Sequence, residues 1–319
     1  MNAAVVSSFD KPPAYEQFDE PVPSSEHEAL VDVLAAGFHP RVRSQANGSH
    51  YSATGTLPFV PGIDGVGRLE TGQVVYFALD DQAVGSMAER TVVDTRRSIV
   101  LPDGADPYLI AAGMNPGMSS WIALTRRLEW KAGRSVLILG ATGNAGRLAV
   151  QISKHLGASR VIAAGRSQQK LDLLGPLGAD VIVQLGAGSD TSSENIGRAA
   201  AEVDVVLDYI WGQPALDSIV AIVKERSDRS RRLTWVQIGA QAGATIELPS
   251  ALLRQANLCV MGSGQGSIGI AGMLEELPLL AAALSDGTMD VKVERIPLSG
   301  VGDAWEEPMP SDKRIVFTP

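Results

Sequence analysis

Cysteine is nearly missing from this chain. Cys259 is the single one in 319 residues, so no internal disulfide can form. It lies in the apolar stretch 258–261 and reads as a buried strand residue. Histidine is almost as scarce: His27, His39, His50 and His155 are scattered, and none has metal-ligand spacing. No apolar run is long enough to span a bilayer, and the first residues lack the charged-then-apolar layout of a secretory leader. The cytoplasm is therefore the expected location. Positive charge is in deficit as well, with 27 Lys and Arg against 36 Asp and Glu for a net −9. That balance argues against a nucleic-acid partner or an anionic membrane surface. The one basic cluster, residues 224–232, is interrupted by Glu225 and Asp228 and reads as a solvated loop.

What is present is ordinary globular material, 45% hydrophobic and 20% charged, in a length that divides into two domains. The informative stretch is residues 135–170, SVLILGATGNAGRLAVQISKHLGASRVIAAGRSQQK. Its apolar run 136–139 predicts a strand buried on both faces. Ala145, Leu148, Ala149, Ile152 and Leu156 then recur at helical spacing until Gly157, and a second strand follows at 161–164. In the turn between strand and helix, Gly143 and Gly146 occupy the second and third glycine positions of the dinucleotide fingerprint G-x-G-x-x-G, with Ala141 in place of the first. Bare backbone there lets a pyrophosphate approach Thr142, Gly143, Asn144 and Ala145, and the helix-opening N–H groups meet it with partial positive charge. The strand before and the helix after give the glycine pattern its weight.

The second strand runs into Gly165, Arg166 and Ser167, where a carboxylate would grip a ribose 2′-hydroxyl. An arginine suits a 2′-phosphate instead, and Lys170 follows one helical turn later. The expected cofactor is NADPH rather than NADH, held at this end by Arg166, Ser167 and Lys170.

Residues before about 113 show short β-type runs broken by Pro and Gly, such as 3–6, 29–34, 74–78 and 89–93, which suggest a barrel-like or partly open β domain. The segment 57–67, LPFVPGIDGVG, is expected to turn sharply. From about 115 helices and strands alternate: a helix over 116–128, then strands near 179–185, 203–210, 233–239 and 258–262. Such a pattern implies a doubly wound parallel sheet with its ligand beyond the carboxyl ends of the strands. Those ends are Gly140, Gly165, Tyr209, Gly239 and Gly262. The tail, a helix at 273–284 and strands at 291–296 and 314–317, is expected to rejoin the first domain.

Several segments in order now carry a resemblance: VDVLAAGFHP (31–40), LPFVPGIDGVG (57–67), GSMAERTVVD (85–94), LPDGADPYLIAAGMNPGMSSWIAL (101–124) and the fingerprint with its LGA helix end. Together they resemble the medium-chain dehydrogenase/reductase superfamily over essentially the whole chain, and within it the zinc-free quinone oxidoreductase and enoyl reductase branch. The resemblance implies an α/β protein with a GroES-like β-rich catalytic domain (1–114 and 267–319, discontinuous) and a Rossmann doubly wound parallel-sheet NADPH-binding domain (115–266). It implies an active site in the cleft between them and a homodimer paired through 258–262. Zinc-dependent members carry an early Cys-type ligand and a His in a GHE-type segment. Here that segment is Gly62, Ile63, Asp64, no early cysteine exists, and the four-cysteine zinc lobe is absent. The N-P-x-D motif of the quinone reductase group is His39, Pro40, Arg41, Val42 in this chain, a departure on the substrate side.

By the same resemblance Tyr51 matches an active-site tyrosine, Asn115 and Ser119 lie near the nicotinamide, and Gly239, Ala240, Ser263 and Gly264 present backbone to it. The implied reaction passes hydride to a quinone or an α,β-unsaturated carbonyl, with Tyr51 or a water as the proton source. His39 and His50 are near enough in sequence to take part, but as lone histidines they read first as structural or surface residues. Trp121 and Trp211 read equally as cleft lining and as core. Two other readings stay open: an NADPH-dependent ketone reductase, and a non-catalytic NADPH-binding redox sensor. Product identity separates one-electron quinone reduction from two-electron double-bond reduction.

Overall fold

The computed structural model describes residues 1–49, 55–80, 82–186, 189–264 and 266–319. The chain opens with β1 (Asn2–Val5), β2 (Ala14–Gln17) and β3 (Glu28–Gly37), followed by a short helix α1 (Pro40–Ala46). Strands β4 (Asp64–Leu69), β5 (Val74–Ala78), β6 (Arg90–Asp94) and β7 (Ser98–Val100) come next. Then helices and strands alternate, beginning with α2 (Pro107–Ile122), β8 (Ser135–Leu139), α3 (Asn144–His155) and β9 (Arg160–Gly165). The alternation continues through α4 (Gln168–Leu171), β10 (Val181–Gln184), α5 (Ser189–Ala200) and β11 (Val205–Asp208). It ends with α6 (Gly212–Glu225), β12 (Leu233–Gln237), α7 (Ser250–Gln255) and β13 (Leu258–Gly262). The tail forms α8 (Ile270–Ser285), β14 (Val293–Pro297), α9 (Val301–Glu306) and β15 (Arg314–Thr318).

Two compact units result, residues 1–115 with 274–287 and 291–319, and residues 116–273 with 288–290. The first is built on a mostly antiparallel sheet of order β14-β15-β3-β4-β5-β7, with β6 also paired to β3. Strand β3 is its hub. It pairs β6 over 28–32, β4 over 31–36 and β15 at Ala36 and Gly37. Val31, Phe38, Phe77, Met87 and Phe317 fill the core of this unit.

The second unit is a six-stranded, wholly parallel sheet of order β10-β9-β8-β11-β12-β13. Parallel strands buried on both faces need continuous apolar sequence, and Val136 to Leu139 and Val205 to Leu207 supply it. The order reverses direction between β8 and β11, the strands that flank the topological switch point. Leu137, Leu139, Ile162, Val206, Ile219 and Trp235 form the core there.

Helix α3 follows its sequence pattern closely, with residues 146–153 buried. Gly157, at φ +82°, ends it, as expected of an L-residue-averse position after a helix C-cap. Four other expectations change. Helix α2 begins at Pro107, so Pro116 lies inside it rather than opening it, and its end widens into a π-helical turn over Ala123–Arg127. The segment 57–67 does not turn throughout, since β4 starts at Asp64. Its Gly65 and Gly67 are strand residues that let β4 press against β3: a Cβ at Gly67 would stand 2.1 Å from Val31 Cγ1. Cys259 is half-buried, because β13 is an edge strand. Among the described residues no helix is long and apolar enough to cross a membrane.

The fourth change concerns the basic cluster. Arg226 is buried rather than solvated, and its guanidinium ties together the loops at the amino end of the sheet. Nη1 donates to the carbonyls of Ala201 (2.7 Å) and Val203 (3.0 Å), and Nη2 to those of Arg231 (3.2 Å) and Arg232 (3.4 Å). Arg226→Leu strands those carbonyls, and unfolding in urea should show a loss of about 2–4 kcal/mol with an unchanged m value.

Candidate functional site

In the second unit, the carboxyl ends of the parallel strands bring together most of the residues singled out in the sequence. Gly140, at φ +85°, turns the chain out of β8, and the amides of Gly140 and Ala141 both donate to Ala164 O at 3.0 Å. Gly143 is the N-cap of α3, with Asn144 and Ala145 as its first helical residues. A Cβ at Gly146 would lie 2.3 Å from Gly140 O, so this glycine is what lets the helix seat against the turn. Gly143 is different. A Cβ there would meet only Gly140 O at 3.7 Å, so its bare backbone faces open space at the helix N-terminus.

Thr142 leans on the end of the next strand, since a Cβ at Gly165 would come within 2.9 Å of its Cγ2. Arg166 and Lys170 are exposed beyond that strand. Ser167 caps α4 between them, accepting the Lys170 amide at 3.4 Å, and Gln184 Nε2 donates to Arg166 O at 3.1 Å. The backbone that carries both cations is thus fixed by its own hydrogen bonds.

Across the switch point, Tyr209 follows β11. Its hydroxyl lies 3.0 Å from Ser119 Oγ, which itself donates to Pro116 O at 2.7 Å. Burial pushes the Tyr209 phenol up to about 12, against the pull of its serine neighbours, so it stays neutral. Gly239 comes close to the same residue: a Cβ there would stand 2.6 Å from Tyr209 O. Ala240 is exposed just beyond it. Ser263 donates its amide to Gln237 O at 2.9 Å, which joins the ends of β12 and β13, and Gly264 begins the next turn. Asn115 is half-buried in α2 as the last residue of the first unit's opening segment. Tyr51 and His50 lie outside the described residues.

Sequence reading passed over Asp208, a single acid at the end of an apolar strand. It is fully buried and accepts the amides of Ile210 (2.8 Å) and Trp211 (2.9 Å) and the indole N–H of Trp235 (2.9 Å). Its isolation within an otherwise apolar run was the available signal. The two amide bonds hold Trp211 at φ 51°, ψ −159°, a backbone that costs a non-glycine residue about 1–3 kcal/mol. Trp211 is half-buried against the core of this unit. Trp121 is buried, with its ring 5.6 Å from that of His155.

A second buried polar group lies in the first unit. His39 Nε2 and Asp64 Oδ1 are 3.0 Å apart, and Tyr76 donates to Asp64 Oδ2 at 2.9 Å. Burial lowers the nearby Arg314 to about 10 while the Asp64 charge acts to raise it. His39 is thus bound into the interior rather than lying at the surface.

The parallel sheet, its switch point and the glycine turn at α3 define an α/β unit of the dinucleotide-binding class. Comparison with known proteins gives the family. Residues 145–282 match the model of the zinc-binding dehydrogenase family. A probable NADPH-dependent quinone reductase of Emericella nidulans is 30% identical over 363 residues, covering 100% of both chains. A chloroplastic NADPH-dependent alkenal/one oxidoreductase of Arabidopsis thaliana is 31% identical over 63% of this chain and 53% of its own length. Among solved structures, the quinone oxidoreductase of Escherichia coli in complex with NADPH superposes with a TM-score of 0.83 at 20% identity, covering 100% of both chains. The chain belongs to the medium-chain dehydrogenase/reductase superfamily, in its quinone oxidoreductase-like branch.

Among the described residues no group of three or more His, Cys, Asp or Glu side chains is placed to hold a metal ion.

Asp208 also makes a pH prediction. Burial raises its carboxyl above the ordinary 3.8, outweighing the three N–H bonds that act to lower it. The native state therefore keeps the proton to higher pH than the unfolded chain does, and stability falls as pH rises from 3.8 through the raised value. Asp208→Asn lacks this slope, so the stability difference between wild type and variant should narrow as pH rises through that window. At pH 7 the variant should be about 1–2 kcal/mol less stable, because its amide N–H₂ faces the Trp235 N–H.

Proposed function

We propose that this chain is an NADPH-dependent reductase of quinones or α,β-unsaturated carbonyl compounds, working without a metal. The observation that carries the reading is the carboxyl edge of the parallel sheet. There the open backbone of Gly143 at the N-terminus of α3 is followed, at the end of β9, by Arg166 and Lys170 with no carboxylate at 165–167. The cradle fits a dinucleotide: Thr142, Gly143, Asn144 and Ala145 would hold the pyrophosphate, and Arg166, Ser167 and Lys170 the 2′-phosphate. The fungal and plant relatives, an NADPH-dependent quinone reductase and an NADPH-dependent alkenal/one oxidoreductase by name, support both the cofactor and the acceptor class.

When bound, NADPH supplies hydride to the acceptor. What remains for the protein is orientation and charge. In this reading the adenine half lies over β8, β9 and β10 and the nicotinamide half over β11, β12 and β13, where Ser119, Gly239, Ala240, Ser263 and Gly264, with Asn115, form its surroundings. Tyr51, assigned from sequence, donates a hydrogen bond to the acceptor oxygen as negative charge develops and gives the proton that completes the two-electron reduction. A homodimer joined through β13, an edge strand of the sheet, belongs to the same reading, as does a cytoplasmic location.

NADPH consumption with quinones, enones and simple ketones tests the acceptor. Conversion of an enone to its saturated ketone is expected, and turnover of ketones alone would overturn the class. Arg166→Ala with Lys170→Ala should raise KM for NADPH by about tenfold or more and leave KM for NADH nearly unchanged. Tyr51→Phe should lower kcat by about a hundredfold with KM for NADPH unaltered, since general acid catalysis contributes on that scale.

A further inference from the structure

We infer that Arg127 is a positioning residue for the nicotinamide end of the cofactor, acting through the turn that follows β13; the inference rests on the function just proposed. Arg127 closes the π-helical turn at the end of α2. The wider turn rotates the side chains that follow relative to an unbroken α-helix, a device common at functional sites. From there its guanidinium reaches both stems of one short loop. Nε and Nη2 donate to Gly262 O at 3.1 and 2.9 Å, and Nη1 donates to Ser267 O at 3.4 Å.

Among the described residues of that loop, Ser263 and Ser267 are half-buried and Gly262, Gly264 and Gly266 are exposed. A Cβ added at Gly262, Gly264, Gly266 or Gly269 would meet nothing within 4 Å, so these glycines leave open space on the side a side chain would take. Its internal bonds close it on itself: Ser267 N donates to Gly264 O at 2.9 Å, Gly264 N to Ser267 Oγ at 2.9 Å, and Ser267 Oγ to Gly264 O at 2.7 Å. These bonds shape the turn but leave its place open. Two contacts fix the peptide that joins it to β13. The N–H of Ser263 is held by Gln237 O at 2.9 Å, and on the opposite side the C=O of Gly262 is held by Arg127.

In a doubly wound sheet a dinucleotide runs along the carboxyl ends from the switch point, so the half bound over β11 and β12 arrives at the end of β13. The peptides of Gly262, Ser263 and Gly264 are then the ones that meet the nicotinamide. Arg127 holds the Gly262 carbonyl at one stem of the turn and the Ser267 carbonyl at the other, and so sets their orientation through charge-assisted bonds. The adenine half, over β8 and β9, shares none of these contacts.

The test titrates wild type, Arg127→Met and Arg127→Lys, each as the full chain, with NADPH and with adenosine 2′,5′-bisphosphate, which carries only the adenine half. Arg127→Met is expected to weaken NADPH by about tenfold, the scale of a lost charged hydrogen bond, and to leave the bisphosphate unchanged. Arg127→Lys should fall between, because one ammonium reaches either carbonyl but does not bridge the two; it also carries the comparison if the methionine variant fails to fold. Equal weakening of both ligands marks Arg127 as a general brace and overturns the inference. So does unchanged NADPH affinity. Wild type that binds NADPH but not the bisphosphate, or neither, would instead overturn the cofactor placement on which the inference rests.

Discussion

The close approach of α3 to the turn after β8 is the constraint from which the rest of the cofactor unit follows. A Cβ at Gly146 would stand 2.3 Å from Gly140 O and 2.7 Å from Ala141 Cα, so any other residue would push the helix off the strand. With the helix seated, its N-terminus begins at bare backbone, since a Cβ at Gly143 would meet only Gly140 O at 3.7 Å. Thr142 then lies against Gly165, which couples the turn to the end of β9 and so to the strand exit that carries Arg166. One missing methyl group thus sets the distance between a helix dipole and two cations. In the proposed function, helix packing, anion affinity and the choice of cofactor are joined at that point.

Buried charge is the second organising feature, and in each place the fold uses it to fix loops. Arg226 binds four carbonyls at the amino end of the parallel sheet, and Asp208 binds three N–H groups at its carboxyl end. The first unit holds His39, Asp64 and Tyr76 in one buried network. In water such bonds contribute little, but away from water each lost partner leaves a polar group stranded. Asp208 shows where the cost falls. Its bonds stabilise a strained Trp211 directly at the strand exit, while desolvation keeps its own carboxyl raised.

Arg127 extends the pattern from stability to positioning. It is half-exposed, so its bonds to Gly262 and Ser267 do not anchor a core. They place a loop whose glycines 262, 264, 266 and 269 leave open space where a side chain would stand. The widened turn at the end of α2 has a structural consequence of its own, because it is the step that carries this side chain to both stems of the loop.

Much of this was legible from residue order. Apolar runs fixed β8, β9 and β11, helical spacing with Gly157 fixed α3, and the fingerprint with Arg166 pointed to a phosphorylated dinucleotide, because period, turn chemistry and charge are local properties. Segment matches alone identified the superfamily before any geometry. Other features were decided only by tertiary structure. Gly65 and Gly67 read as turn residues yet are strand residues, because the neighbouring β3 demands their bareness. Pro116 reads as a helix start yet lies mid-helix, and Arg226 reads as solvated yet is buried. Asp208 signals itself only as a lone acid in an apolar run, and Arg127 carries no local signal for what it does, since its partners Gly262 and Ser267 are distant in sequence. Local chemistry determined the elements and the class of ligand; long-range packing decided which polar groups lose water, and therefore which residues hold the site in place.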